Sequence, residues 1–450
     1  MISWRTPALL LVLGVPTVVV CAVLAAPVWI PLAVVVAVVV AVVLADWAIA
    51  SPPGEVTLRR SGPTQVRLGD SVTVELALTN NSVRVLRALV RDAWVPSAGA
   101  AAPYAHDLDL EPGHTAVVAT TLTPTRRGDR PAARVTIRSY GPFGLAFRQL
   151  SRRRADILTP RWTLRALPEF RSRRLLPEKL SRLRVIDGQV VTRGRGQGSE
   201  FDSLRDYVIG DDPRSIDWRA SARREHTVVK QWRPERDRRV LCVIDTGRTS
   251  AGRVAAVSAP LGSDGEPRLD HAIDAALLLA SLAAHAGDRV DLLAVDTATR
   301  ANVSTSSKRS LPRLMEALSA LQPALVETDF GRVVAEVLTL ERKRTLVVLF
   351  TSLEPGALGE GLLPVLPTLV SRHTVVVAAV HDPALDALAA QRGTAGVLHT
   401  AAAAERGLAE LRRVRAALTR YGVHVIDAPA ETFASTVADT YLALKANGRL

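Results

Sequence analysis

Two apolar runs at the start of the chain restrict what it can become more than anything that follows them. Residues 7–26 carry no charge, and after the break Pro27-Val28-Trp29-Ile30-Pro31 the chain is apolar again until Asp46. Each run approaches the ~20 residues that cross the hydrocarbon core of a bilayer as a helix. Trp29 and Trp47 bracket the second run at about 27 Å of helical rise, the spacing of the two interfaces where tryptophan prefers to sit. Trp4 stands at the outer end of the first. Arg5 precedes the first run, Arg59 and Arg60 follow the second, and the turn between them is neutral. The positive-inside rule therefore leaves both ends, and the body after them, in the cytoplasm. A cleaved signal peptide over residues 1–26 is the rival reading, with a short basic start, an apolar centre and small residues near its end. The second run argues against it, because a helical hairpin uses both stretches. A lipoprotein is disfavoured as well, since Val20 precedes Cys21 where a small residue belongs.

The whole chain has 450 residues, enough for two or three domains with separate cores. Its net charge of +13 is mostly arginine scattered through charge-mixed stretches with few aromatics nearby, so no nucleic-acid partner is expected. The cysteines are Cys21, inside the first apolar run, and Cys242, inside a strand-like run. They offer no disulfide framework and suit a reducing compartment.

After a transmembrane hairpin over 1–50, residues 54–161 read as short strands broken by turns. Residues 71–79 alternate as SVTVELALT, 115–122 are rich in Thr and Val, and 133–139 read ARVTIRS, punctuated by Asn80-Asn81, Pro112-Gly113 and Gly128-Asp129. The expectation is an all-β, immunoglobulin-like sandwich. Residues 162–239 form a basic connector. From 240 to 450 the pattern turns to strand, helix, strand: VLCVID, a helix over 269–286, RVDLLAVD, helices near 311–321 and 330–340, TLVVLFTS, TVVVAAVHD, a helix over 401–421, and VHVIDAP. Continuous β-branched strands between amphipathic helices imply a mostly parallel, doubly wound sheet. Its site is expected beyond the carboxyl ends of the strands, which carry Asp245, Asp296, Ser352, Asp382 and Asp427.

Residues 194–230 read GRGQGSEFDSLRDYVIGDDPRSIDWRASARREHTVVK. The ordered series Glu200-Phe201, Leu204-Arg205-Asp206-Tyr207, Gly210-Asp211-Asp212, Arg214, Ile216-Asp217-Trp218-Arg219 and Ala222-Arg223 resembles the bacterial family called domain of unknown function family 58. Gly141-Pro142-Phe143-Gly144-Leu145 is similar to the Asp-Pro-Phe-Gly-Leu of that family, with Gly141 in place of the Asp. Physically the block mixes the aromatics Phe201, Tyr207 and Trp218 with close acid and arginine pairs such as Asp217 and Arg219. Aromatics of this kind bury against a neighbouring surface while arginine forks and carboxylates fix one another. A partner surface and a junction between domains are both open. Gly194-x-Gly196-x-Gly198 is a poor phosphate loop, lacking a preceding strand and a Gly-Lys-Ser/Thr ending.

The resemblance implies that the last domain is similar to a von Willebrand factor A domain, which holds a divalent metal through Asp-x-Ser-x-Ser, a later Thr and an Asp after a central strand. Here the corresponding residues are Asp245, Gly247, Thr249, Thr328 and Ser352, a degenerate Mg²⁺ site with a hydroxyl lost at Gly247 and a carboxylate lost at Ser352. Glu354 is a candidate substitute ligand. The same strand end is similar to the Asp-x-Asp-x-Thr of aspartyl-phosphate phosphatases, with Asp245 as nucleophile, but Gly247 replaces the general acid. His271, His285, His373, His381, His399 and His424 show no ligand spacing. The reading is a two-pass cell-membrane protein with a cytoplasmic body, acting as a non-enzymatic adaptor. The resemblance implies a MoxR-type AAA+ ATPase as partner, in maturation or assembly of other proteins. A metal-dependent adhesion module and a phosphohydrolase are the alternatives; the oligomeric state is not legible.

Because the hairpin's turn is neutral and its flanks are basic, reporter fusions at Leu450 are expected to report cytoplasm, and the β region should resist protease added to intact cells. Digestion from outside would overturn the orientation.

Overall fold

The computed structural model describes residues 2–193, 200–209, 211–224, 226–233, 238–258, 260, 264–304 and 310–449. They fall into two compact units, Met1–Leu167 and Pro168–Leu450. The first opens with the apolar helices α1 (Arg5–Val23) and α2 (Trp29–Ile49), both long and apolar enough to cross a membrane. Of the presumed flanking charges, Arg60 does not lie free. It is buried in strand β1 (Val56–Ser61) and ion-paired with buried Asp92, whose other oxygen accepts from the Trp94 indole at 3.0 Å. An arginine drawn into a core is held there by its carboxylate.

The β region adds β2 (Gln65–Arg67), β3 (Val72–Asn80), β4 (Leu86–Trp94), β5 (His106–Leu110), β6 (Thr115–Leu122), β7 (Gly128–Tyr140), β8 (Phe147–Gln149), helix α3 (Arg152–Leu158) and β9 (Thr163–Leu167). One sheet has the order β1-β3-β6, the other β2-β9-β7-β4-β5 with β8 beside β7. Alternation along β3 and β4 turns every second residue inward. Leu76, Leu78 and Val118 of the first sheet therefore share a core with Leu86, Val90, Leu110 and Ile137 of the second. Strand β9 comes from the stretch expected to be connector, and pairs antiparallel with β7 and parallel with β2.

The end of α2 is keyed into this region. Asp46 is fully buried, and its carboxylate accepts hydrogen bonds from the backbone N–H of Phe143 (2.8 Å), Leu145 (2.8 Å) and Ala146 (2.9 Å). The start of α1 joins the same loop, since Ser3 N–H and the Thr6 hydroxyl both donate to the Leu145 carbonyl, at 2.8 and 2.6 Å. Gly141 stands where the related family pattern has Asp, and the reason is spatial: a Cβ there would lie 2.2 Å from Asp46 Oδ1.

The second unit begins with residues clasped to its helices. Helix α4 (Leu176–Arg193) sends Lys179 to Asp439 at 2.9 Å, and Arg171 makes a bidentate pair with Glu266 at 2.7 Å. A hairpin follows, β10 (Glu200–Asp206) and β11 (Val228–Arg233), with the short helix α5 (Trp218–Arg224) in its connection. Next come β12 (Arg239–Asp245), the two-residue strands β13 (Arg253–Val254) and β14 (Glu266–Pro267), α6 (Arg268–His285), β15 (Arg289–Val295), β16 (Thr299–Val303), α7 (Ser310–Ala320) and α8 (Phe330–Leu340). The unit ends with β17 (Leu346–Phe350), α9 (Leu366–Val370), β18 (Thr374–His381), α10 (Pro383–Ala389), α11 (Ala395–Arg420), β19 (His424–Pro429) and α12 (Ala430–Ala446).

The six-stranded sheet has the order β16-β15-β12-β17-β18-β19, parallel except for the edge strand β16. Leu241, Val243, Val347 and Leu349 pack on one face with α8, α9 and α11. The alternate residues Val240, Cys242 and Ile244 are equally buried, and α6 packs against β12. Burial and the nearby Asp291 carboxylate push the Cys242 thiol up to about 12. The chain leaves β12 first toward β15 and then returns to β17 on its other side, so the order reverses at β12, the place where open parallel sheets build sites.

Replacing Asp46 by Ala strands the three amides of its loop, at about 1–3 kcal/mol for each that water does not reach. The expected outcome is a lower melting temperature of the full chain in detergent, with new proteolytic cuts between residues 141 and 148; unchanged melting and cleavage would refute the keying.

Candidate functional site

Two places bring the sequence-singled residues together, and their chemistry differs. The first is the carboxyl end of β12. Asp245 is 2% exposed there, because the strand buries every residue after its first. Its Oδ1 accepts from Gly247 N–H (2.8 Å) and the Thr328 hydroxyl (2.5 Å). Oδ2 accepts from the hydroxyls of Thr249 (2.9 Å) and Thr351 (2.6 Å). Gly247 has no room for a side chain, since a Cβ would stand 2.1 Å from Thr328 Oγ1. Only glycine fits at position 247 beside the Thr328 hydroxyl.

Sequence reasoning named Ser352 at the end of β17, and the structure uses its neighbour. Thr351 turns toward Asp245, while Ser352 Oγ lies 3.5 Å from Arg268 Nη1. The offset of one residue after a strand reverses the face a side chain presents. Glu354 is committed elsewhere: Arg248 donates to it at 3.0 Å and to Glu327 at 2.9 Å. Beside the cluster Asp296 is fully buried at the end of β15. Burial alone raises its pKa, but Arg300 Nε at 2.7 Å, Ala298 N–H and the Thr246 hydroxyl hold it below the ordinary carboxylate range.

A hard divalent cation needs oxygen lone pairs in a near-octahedral array, with carboxylate charge to offset its dehydration. Here one carboxylate is present, and all four of its contacts are donors pointing hydrogens at it. Among the described residues no three His, Cys, Asp or Glu gather as a ligand set. Asp245, Thr249 and Thr328 are therefore neighbours, as the resemblance noted above implied, in a donor set that does not fit Mg²⁺.

The second place is the signature block. The backbones of Glu200 and Phe201 lie in β10, and their side chains, with Gly210 and the glycines at 194–199, fall outside the described residues. Arg205 makes a bidentate pair with Asp211 at 2.7 and 2.6 Å, and Asp211 also accepts from Val208 N–H. Half-buried Tyr207 donates its N–H to Thr227 O, closing the hairpin. Asp212 accepts from Arg214 N–H at 2.9 Å. Asp217 begins α5, accepting from the N–H of Arg219 (3.1 Å) and Ala220 (3.0 Å) while Lys230 Nζ lies 3.3 Å away. The Ala220 amide, with Lys230, holds its pKa below the usual range.

Two expectations are corrected. The fork of Arg219 does not grip Asp217, whose side chain is taken by backbone amides and Lys230. Trp218 is not a buried anchor, for it is 70% exposed, and Val208 (62%) and Ile209 (96%) in the same connection are exposed too. The acids of this block spend themselves on local turns, leaving Arg214, Arg219 and Arg223 exposed. Among the histidines, His381 carries an unforeseen network: Asp386 at 2.5 Å and Asp427 at 3.3 Å raise it to about 9, with the Asp427 hydrogen bond the leading cause.

From the saturated Asp245, calorimetry on the full chain in detergent is expected to show no Mg²⁺ binding in the micromolar range. Micromolar binding abolished by Asp245→Ala would show that the threonines reorganise into ligands.

Against known proteins, residues 203–421 match the family model described as "Protein of unknown function DUF58". Uncharacterized protein Mb1516 of Mycobacterium bovis and Uncharacterized protein Rv1480 of Mycobacterium tuberculosis are each 27% identical over 203 residues, 44% of this chain. The match spans 60% of the length of each of these relatives. Solved structures give only slight likeness: the CARDB domain of the PF1109 protein of Pyrococcus furiosus, in complex with di-metal ions, aligns at a TM-score of 0.19 and 13% identity, covering 27% of this chain and 92% of its own. A FixG-related protein of Vibrio parahaemolyticus aligns at 0.17 and 7%, covering 25% and 96%. Neither likeness carries an inference. The match to the DUF58 model is confined to residues 203–421, and that segment is similar to a family of unknown function.

Proposed function

We propose that this chain is a membrane-anchored, non-enzymatic adaptor that presents the hairpin of β10, α5 and β11 to a protein partner. The observation that carries the reading is the exposure of Trp218 and Ile209 on a hairpin that satisfies its own polar groups. Aromatic and arginine side chains supply most of the energy of protein interfaces, and Trp218 is flanked by exposed Arg214, Arg219 and Arg223. The resemblance noted above suggests a MoxR-type AAA+ ATPase as that partner, with the body in the cytoplasm. We read the β region as an immunoglobulin-like sandwich and the second unit as a von Willebrand A-like domain. The switch point at β12 and the gathering of Asp245, Thr249 and Thr328 support the latter.

The alternatives meet physical obstacles at Asp245. A phosphohydrolase needs a free nucleophilic oxygen and a general acid two residues on, whereas both oxygens accept hydrogen bonds and position 247 is glycine. A metal-dependent adhesion module needs ligands that the donor set does not offer.

Trp218→Ala is expected to leave the melting temperature of the full chain unchanged and to weaken binding to a purified AAA+ partner by about 2 kcal/mol, roughly 30-fold. Asp217→Ala removes the N-cap of α5 and should cost about 1 kcal/mol of local stability, giving the contrast of a structural residue. A Trp218→Ala protein that melts lower by the margin of a packed anchor would make the block a domain junction, and unchanged binding would sink the adaptor surface.

A further inference from the structure

The end of the β region that receives the helices carries a second unusual surface. Two loops meet the last turn of α2. In the 81–85 loop, Arg84 Nη1 donates to the carbonyls of Ala48 (2.6 Å) and Ile49 (3.2 Å), and on either side Val83 and Val85 are 91% and 48% exposed. In the 141–146 loop, whose amides hold Asp46, Phe143 is 62% exposed. Arg148 donates to the carbonyls of Trp47 (2.9 Å) and Ala48 (3.3 Å), with its guanidinium 4.5 Å from the centre of the Trp47 ring. Arg5, at the head of α1, lies against Gly144, where a Cβ would stand 2.9 Å from its Nη1.

Val83 is almost wholly exposed and Val85 and Phe143 leave about half or more of their surface open, a costly way to display large apolar groups in water. The arginines cap the final carbonyls of α2, a use that occupies only part of the five donors on each guanidinium. Both features lie within one turn of a helix long and apolar enough to cross a bilayer, where an interfacial layer of headgroups begins. Resting on the reading of α1 and α2 as membrane-spanning, we propose that these loops sit in the headgroup layer of the bilayer that holds the helices. Val83, Val85 and Phe143 enter its apolar margin, and Arg5, Arg84 and Arg148 take the phosphates of anionic lipids. Depth is fixed by the Asp46 clamp on the 141–146 loop and by the Arg84 bonds that tie the 81–85 loop to the end of α2.

The test uses the full chain in nanodiscs, with Cys21→Ala and Cys242→Ala as background and single spin labels at Val83→Cys and Phe143→Cys. Val12→Cys serves as the lipid reference and Tyr104→Cys as the aqueous one. Labels at 83 and 143 are expected to collide with oxygen more than with a water-soluble nickel chelate, and the label at 104 the reverse. An aqueous label at 12 would defeat the membrane reading itself; a lipid-facing label at 12 with aqueous labels at 83 and 143 defeats this inference alone. For the collar, headgroup-labelled phosphatidylglycerol should be retained over phosphatidylcholine by roughly fivefold per arginine at the leaflet surface. Arg84→Gln with Arg148→Gln should remove most of that preference, and Arg84→Lys with Arg148→Lys should keep it, since the attraction is one of charge. Equal retention of the two lipids by the unaltered chain overturns the collar.

Discussion

A carboxylate taken out of water must be met by donors or it will not stay ionised, and both units are organised around that demand. Asp46 is met by three backbone amides, Asp92 by a guanidinium and an indole, and Asp288 by the ammonium of Lys445 and the phenol of Tyr441. Asp245 is met mainly by threonine hydroxyls. Each has at least one donor from well away in the chain: 100 residues from Asp46 to Ala146, 32 from Asp92 to Arg60, 106 from Asp245 to Thr351, 157 from Asp288 to Lys445. Each buried acid therefore acts as a tie between segments that apolar packing alone would leave free to slide.

That distance explains what the sequence showed and what it hid. Hydrophobic period is local, so residues 71–79 announced β3, residues 115–122 coincided with β6, and VLCVID announced β12. The helix expected at 269–286 formed as α6. Asp46 read only as the end of an apolar run, because nothing near it in sequence hints at amides a hundred residues away. Strand β9 was hidden in a basic stretch, since it is only five residues long and TLRAL supplies three apolar ones. The last helix, α12, went unnoticed after β19, although its Phe433, Val437 and Tyr441 repeat at helical spacing on the buried side.

The candidate sites were legible in the same uneven way. Asp245, Thr249 and Thr328 were named from pattern and do assemble, yet the choice of Thr351 over Ser352 depended on a one-residue offset past a strand end. In the signature block the identities were readable and the pairings were not. Short acids prefer nearby amides, so Asp212 and Asp217 turn inward on their own loops and leave the long arginines to the solvent. A block rich in opposite charges can thus end with its cations outward, a property of geometry that composition does not reveal.

The edge of the larger β sheet carries a consequence for the protein in number. Strand β5 ends that sheet and offers its outer backbone groups to any passing strand. Its sequence, HDLDL, places Asp107 and Asp109 outward and exposed. An open edge is the usual template for strand-to-strand aggregation, and inserted charge is a common defence. If, as proposed, α1 and α2 cross a bilayer, encounters are confined to a plane and repeated in nearly one orientation, which favours zippering of edge to edge. Like charges facing across two β5 strands would make such a pair repel itself, so copies can crowd together while remaining separable.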